Sequence, residues 1–287
     1  MDRRSFILSS LTAAALAATT LVGCGGAPGA PAASDTTDPA AEAGTGAVDT
    51  GTLIVGFDSA YPPYGYVGDD GEYTGFDLEL AQEVADRNDW EVKLEPVDWD
   101  AKDTLLDSGA INCIWNGFTM EGREDDYTFS EPYMLNAQVI VVRADSDIKG
   151  FEDLAGKAVI TQVDSAAYNV LAGEDATQAE LAATFASLET IGDYNTAFMQ
   201  LESGAVDAVA CDLSIAAYQL AAKPDAYVQL DEPLSEEHYA VGLKKGDDAT
   251  AQKITETLRA MDEDGFVQEL CEKYADQGIS YENWCLE

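Results

Sequence analysis

Short β-prone runs, each closed by a polar turn and followed by an amphipathic stretch, recur from residue 52 to residue 243, and nothing else in the chain constrains its fold as strongly. Thr52–Phe57 (TLIVGF) is a strand by its β-branched content and by the polar turn DSAYPPY behind it. Phe76, Leu80, Ala81, Val84 and Ala85 then fall at helical spacing, which predicts one buried stripe. Residues 90–97 alternate as a second strand, and residues 98–100 open a helix with Leu105 and Leu106 inward and Gly109 at its end. Residues 110–115 (AINCIW) are apolar and short, a buried strand. Residues 136–143 (NAQVIVVR) and Ala158–Gln162 (AVITQ) are further strands, the first expected to cross between two halves of the molecule. Asp164 and Ser165 cap a helix over 166–172, which leaves unpaired N–H groups facing outward. Residues 193–203 form an amphipathic helix stopped by Gly204, and residues 205–212 (AVDAVACD) form a strand ending in a carboxylate. Residues 238–243 cross back, and helices bearing Ile254, Leu258, Met261, Phe266 and Leu270 finish the chain. Such sheets bind ligands in the crevice beyond the carboxyl ends of their strands.

The ends of the chain and its charge narrow the setting. Residues 1–23 read as an export segment: DRRSFIL resembles a twin-arginine signal, and the Ala/Leu stretch after it is too short for a firm membrane span. Ser9 stands where that signal has a lysine, so general secretion stays open. Residues 21–24 (LVGC) resemble a bacterial lipobox in which Cys24 becomes the lipidated first residue; a chance cysteine is the alternative. Residues 24–51 then form a tether of small and polar residues that cannot bury enough surface to order itself. The 287 residues suffice for one large domain or two lobes. With 54 acids against 15 bases, a net charge of −39 speaks against nucleic acid as a partner. No CxxC pair occurs and His238 is the only histidine, so no metal and no cofactor is expected. Cys113 and Cys211 sit in apolar runs as buried thiols, whereas Cys271 and Cys285 could close a disulfide in an oxidising compartment.

The stretch NGFTMEGREDDYTFSEPY, residues 116–133, carries the chemistry. Asn116 and Gly117 follow a strand, Gly117 lets a backbone approach closely, Thr119 offers a hydroxyl and Arg123 a planar fork of donors suited to a carboxylate. The plain alternative is a surface loop in which Arg123 pairs with Glu121, Glu124, Asp125 or Asp126. Gly117-Phe118-Thr119-Met120, Arg123 and Thr128-Phe129-Ser130-Glu131-Pro132-Tyr133 resemble the G-M-T-I-T-x-E-R…D-F-S-x-P-Y segment of type 3 solute-binding proteins, the extracytoplasmic amino-acid receptors of ABC importers. Here the interval from Thr119 to Arg123 is one residue shorter. Further similarities are DSAYPPY at 58–64, GFDLELA at 75–81, DLAGK at 153–157, the carboxylate closing AVDAVACD, and the crossing His238-Tyr239-Ala240-Val241-Gly242-Leu243. Where that family has Gly-Ser-Thr or Gly-Thr-Gly, this chain has Asp164-Ser165-Ala166.

The resemblance implies an α/β fold of two lobes, each a mostly parallel sheet flanked by helices, with two crossing strands as hinge. Lobe 1 would comprise residues 52–138 and 240–287, lobe 2 residues 139–239, with hinge strands near 137–143 and 237–243. It implies that Arg123 and the backbone near Ser165 and Ala166 hold an α-carboxylate, that Asp212 holds an α-ammonium, and that Tyr61 and Trp99 enclose the side chain. Asn116, Gly117, Thr119 and Gln162 would complete the lining, and Asp58 would meet the side-chain head group, which favours a polar or cationic amino acid. The plain alternatives are that Asp212 merely caps the helix over 213–221 and that Trp99 is simply core. His238 would be a structural residue beside the hinge. Implied partners are a membrane permease and its ATPase, with the receptor a lipid-anchored monomer and not an enzyme. Competing readings on the same fold are a cyclohexadienyl-dehydratase-like enzyme, with Asp58, Asp164 and Glu121 as candidate acids, and a sensor without a transport role.

Overall fold

The computed structural model describes residues 51–286; the export segment, Cys24 and all of the tether but Gly51 lie outside them. Two sheets organise the described residues. In the first, Thr52–Phe57 lies between Glu91–Pro96 and Cys113–Ile114, parallel to both. Gly242–Lys244 and Tyr127–Phe129 extend the sheet antiparallel beyond Cys113–Ile114. Thr52–Phe57 is central because its sequence is apolar on both faces: Leu53, Val55 and Phe57 are buried on one side, and Gly56 leaves room for Ile111 on the other. Helix Phe76–Arg87 crosses to Glu91–Pro96, and its stripe of Phe76, Leu80, Ala81, Val84 and Ala85 is fully buried. Each large side chain so buried contributes about 1.5–3 kcal/mol.

The second sheet repeats the plan in the order Ser187–Ile191, Ala158–Gln162, Ala208–Asp212, Met134–Arg143, Tyr227–Gln229. Its first three strands are parallel and Met134–Arg143 is antiparallel to its neighbours. Ser235–Tyr239 pairs with the opening residues of Met134–Arg143, in register from Ser235 opposite Gln138 to Tyr239 opposite Met134. This antiparallel pair is the crossing. Ile140, Val141 and Val142 are wholly buried in the second sheet, while the polar Asn136 and Gln138 lie in this pair.

Two expectations shift. Of residues 110–115 only Cys113–Ile114 is strand; Asn112 donates its own N–H to the Ile54 carbonyl (3.0 Å) and uses its side chain to bind the Ile54 N–H (2.7 Å) and the Thr52 carbonyl (2.8 Å). Cys271 and Cys285 form no disulfide, and all four described cysteines are free. Cys271 is packed into the core beside Tyr274 and Ile279, while the Cys285 N–H is bound to the Tyr133 carbonyl at 3.0 Å, which pins it beside the crossing.

Candidate ligand-binding site

The carboxyl ends of the parallel strands from both sheets converge on one narrow cavity lined by Tyr61, Trp99, Gly117, Thr119, Arg123, Gln162, Ser165, Ala166 and Asp212. The first five come from the first lobe and the last four from the second. Tyr61 and Trp99 follow Thr52–Phe57 and Glu91–Pro96, Gly117 follows Cys113–Ile114, and Gln162 and Asp212 end their own strands. The lobes are drawn together across the cavity. Gln162 Nε2 donates to Asp58 Oδ2 at 2.7 Å, Lys102 pairs with Asp164, and Arg123 Nη2 donates to the Asp164 carbonyl at 3.4 Å.

Arg123 is 7% exposed and has no acidic partner among the described residues. Its Nη1 donates to the Thr119 carbonyl at 3.0 Å, and its guanidinium stacks 4.7 Å from the centre of the Phe118 ring. The surface-loop alternative therefore fails: Glu124, Asp125 and Asp126 are exposed, and Glu121 is engaged by His238 Nδ1 at 2.7 Å. A buried guanidinium held by carbonyls and a ring keeps donors available for an anion.

Asp212 opens helix Leu213–Ala222 but makes no side-chain capping bond, so the helix-cap alternative fails too. Its Oδ1 accepts from Gln138 Nε2 (2.8 Å), Tyr239 Oη (2.9 Å) and Asn136 Nδ2 (3.0 Å). Burial raises its pKa, and hydrogen bonds from Tyr61, Tyr239 and Gln138 together with Arg123 pull it back. Trp99 serves both readings: it packs with Leu106, Ile111 and Phe118 and also lines the cavity. Tyr61 is buried with its hydroxyl 3.4 Å from that of Tyr239. Gly117 has φ +58, and a Cβ there would meet the Tyr61 and Tyr239 rings at 3.1 Å, so only glycine lets both rings close in.

Two expected residues differ from the simple lining. Asp58 faces an adjoining cavity of about 440 Å³ shared with Asp98, Asp100, Asp193 and Trp99. Asn116 does not line the cavity; its Oδ1 receives the Asp58 N–H at 3.0 Å and so fixes Asp58 from beneath. Ser165 lines the cavity and also caps its own helix, accepting the Tyr168 N–H at 3.1 Å.

Three buried polar residues around the cavity, Asp77, Lys102 and Glu237, were not singled out from the sequence. Asp77, at 0% exposure, accepts the Gly117 N–H at 2.5 Å and the Tyr133 hydroxyl at 2.8 Å, and burial pushes its pKa up to about 7. Lys102 is 2% exposed and reaches over the Trp99 ring to Asp164, whose backbone holds φ +56. Glu237, 3% exposed, takes the Thr119 hydroxyl at 2.8 Å. The pairing of GFDL with the 117 loop would have drawn attention to Asp77; nothing local marks Lys102 or Glu237.

Two lobes of like topology, two crossing strands and opposite charges meeting in the cleft between them define a two-lobed solute receptor of the type II periplasmic-binding-protein fold. Residues 53–277 match the model of a family described as bacterial extracellular solute-binding proteins, family 3, and the chain belongs to that family. It is 31% identical over 234 residues to the L-cystine-binding protein TcyJ of Escherichia coli, covering 79% of this chain and 83% of that one. Among solved structures it resembles a substrate-binding protein of an ABC uptake transporter from Streptococcus pneumoniae with bound histidine (TM-score 0.75, 31% identity, 80% of this chain and 94% of that one). It also resembles the ancestral amino acid-binding protein AncCDT-1, described as a precursor of cyclohexadienyl dehydratase (TM-score 0.70, 30% identity, 78% and 95%).

Proposed function

We propose that this protein is an extracytoplasmic receptor that binds a free amino acid between its lobes and hands it to an ABC permease. The observation that carries the reading is Arg123, buried without an acidic partner, lining the same cavity as the buried carboxylate of Asp212 on the other lobe. A desolvated zwitterion needs both its charges matched, since an unpaired buried ion costs several kcal/mol. Arg123 would take the α-carboxylate, and Asp212 with the Thr119 oxygen the α-ammonium. Tyr61 and Trp99 would enclose the first atoms of the side chain. Asp58, with Asp98, Asp100 and Asp193 around the adjoining cavity, favours a side chain ending in a cation or a second ammonium. Relatives named for cystine, and a neighbour solved with histidine, support this class of ligand.

Anchoring through Cys24, a monomeric state and the absence of catalysis belong to the same proposal. The enzyme alternative draws on the dehydratase precursor among the neighbours and on Asp58, whose pKa burial raises. Its other two candidate acids are engaged elsewhere, Asp164 by Lys102 and Glu121 by His238. Calorimetric titration against the free amino acids tests the main reading. Tight binding of a polar or cationic amino acid is expected; binding confined to leucine or phenylalanine would reject the side-chain assignment. Aromatic product on incubation with prephenate or arogenate would instead establish the enzyme.

A further inference from the structure

Two carboxylates meet in the crossing, and only one of them belongs to the site derived above. Asn136 Nδ2 donates to Asp212 Oδ1 at 3.0 Å and to Glu237 Oε1 at 2.6 Å. Gln138 Nε2 repeats the pattern, at 2.8 Å and 2.7 Å. Each carboxamide thus divides its two protons between the same two acids. The third donor to each acid is a hydroxyl, Tyr239 for Asp212 and Thr119 for Glu237. The arrangement has a direct consequence for Thr119, which lines the cavity. With its proton committed to Glu237, its oxygen presents lone pairs, and lone pairs suit an ammonium.

We propose that Glu237 is a proton-linked positioning residue: ionised, it orients the Thr119 hydroxyl as an acceptor and shares the Asn136 and Gln138 amides with Asp212, so that ligand binding expels a proton from this carboxylate pair. The inference rests on the receptor reading, in which Asp212 and Thr119 meet the ligand's α-ammonium. Two buried like charges that share donors cannot both ionise freely, so the pair retains a proton until a cation arrives. Burial pushes Glu237 up to about 7, with Asp212 as the next contributor, while Asn136, Gln138 and Thr119 oppose the rise. Arg123, Tyr61 and Tyr64 face Asp212 from the first lobe, and Tyr194 and Cys211 lie beside it in the second. From its own strand come Tyr239, which feels both acids, and His238, which is turned to Glu121 of the 117–123 loop. Arg123 alone does not offset two carboxylates, and an incoming ammonium adds the second positive charge. The proton lost from the pair passes to buffer, so binding strengthens as pH rises.

The test is calorimetry with L-arginine, L-histidine, L-glutamine and L-cystine as probes, at pH 5.5 to 8 and in buffers of different ionisation heat. For whichever probe binds, affinity is expected to fall by roughly tenfold per pH unit below the pair's titration, as one linked proton requires. Proton release should be measurable near pH 6.5 and should vanish in Glu237→Gln, which retains an acceptor for Thr119 and still binds at pH 8. Glu202→Gln, altering a surface acid paired with Lys223 outside the cleft, should leave the release unchanged. Binding that is independent of pH and buffer, or a release that persists in Glu237→Gln, would overturn the proposal while leaving the receptor standing. Failure of these probes and of every other free amino acid to bind would overturn the receptor reading and this inference with it.

Discussion

A guanidinium and a carboxylate that face one cavity from opposite lobes carry unequal burdens. Arg123 is held by the Thr119 and Asp164 carbonyls and by the Phe118 ring, so its position does not depend on a ligand. Asp212 is held by three donors and resists charging through burial. Replacing either by alanine should weaken amino-acid binding at least tenfold, about 1.4 kcal/mol, as read by calorimetry; an unchanged dissociation constant would remove that residue from the site. Arg123→Lys should lose most of the same affinity, because a point charge does not reproduce a planar fork. Both residues were legible in the sequence because each sits in a motif with fixed neighbours. Glu237 and Lys102 were not, because their burial is created by the other lobe, and no spacing along their own segments encodes it.

At the scale of elements, the turn from Ala158–Gln162 into the helix at Ala166 departs from what its backbone would choose. Asp164 holds φ +56, a conformation that glycine adopts at less cost, and its carboxylate pairs with Lys102 of the opposite lobe. The pair can form only when the lobes meet, so it should hold the closed form rather than contact the ligand. Asp164 is 42% exposed, and screening limits the pair to about 1 kcal/mol. Lys102→Met should therefore speed ligand release roughly fivefold with little change in association rate, measured by stopped-flow fluorescence. A release rate equal to that of the unaltered protein would show the pair to be incidental. The strands and helices themselves were largely readable, since β-branched runs and helical stripes are local signals. Residues 136–143 form one continuous run, and only the pairing partners divide it between the pair with Ser235–Tyr239 and the second sheet. The regular strand within 110–115 is shorter than expected because the Ile54 N–H goes to the Asn112 side chain rather than to a main-chain carbonyl, although the Asn112 N–H still reaches the Ile54 carbonyl at 3.0 Å.

Over the whole molecule, the site lowers stability in order to be ready for a ligand. Asp77 and Glu237 are both pushed up to about 7 by burial. An acid whose folded pKa lies above its unfolded value takes up a proton on folding. Its stabilising contribution is full below about pH 4 and is lost as pH rises through 7. The ligand-free protein should therefore show a Tm that falls between pH 5 and pH 8. Self-repulsion at a net charge of −39 acts in the same direction, and added salt should screen that part alone. In Asp77→Asn the fall should be shallower; an equally steep fall would mean that Asp77 titrates in the ordinary range. Ligand binding opposes the trend, since an ammonium between the lobes favours the ionised acids and the closed form together. The account stands or falls on where the two ends of a bound amino acid lie, and a crystal structure of the complex with the tightest ligand from the screen measures that directly. The expected density places the α-carboxylate against the Arg123 guanidinium and the α-ammonium between Asp212 and Thr119. A ligand lying outside this cleft, or one with its two charged ends reversed, would contradict it.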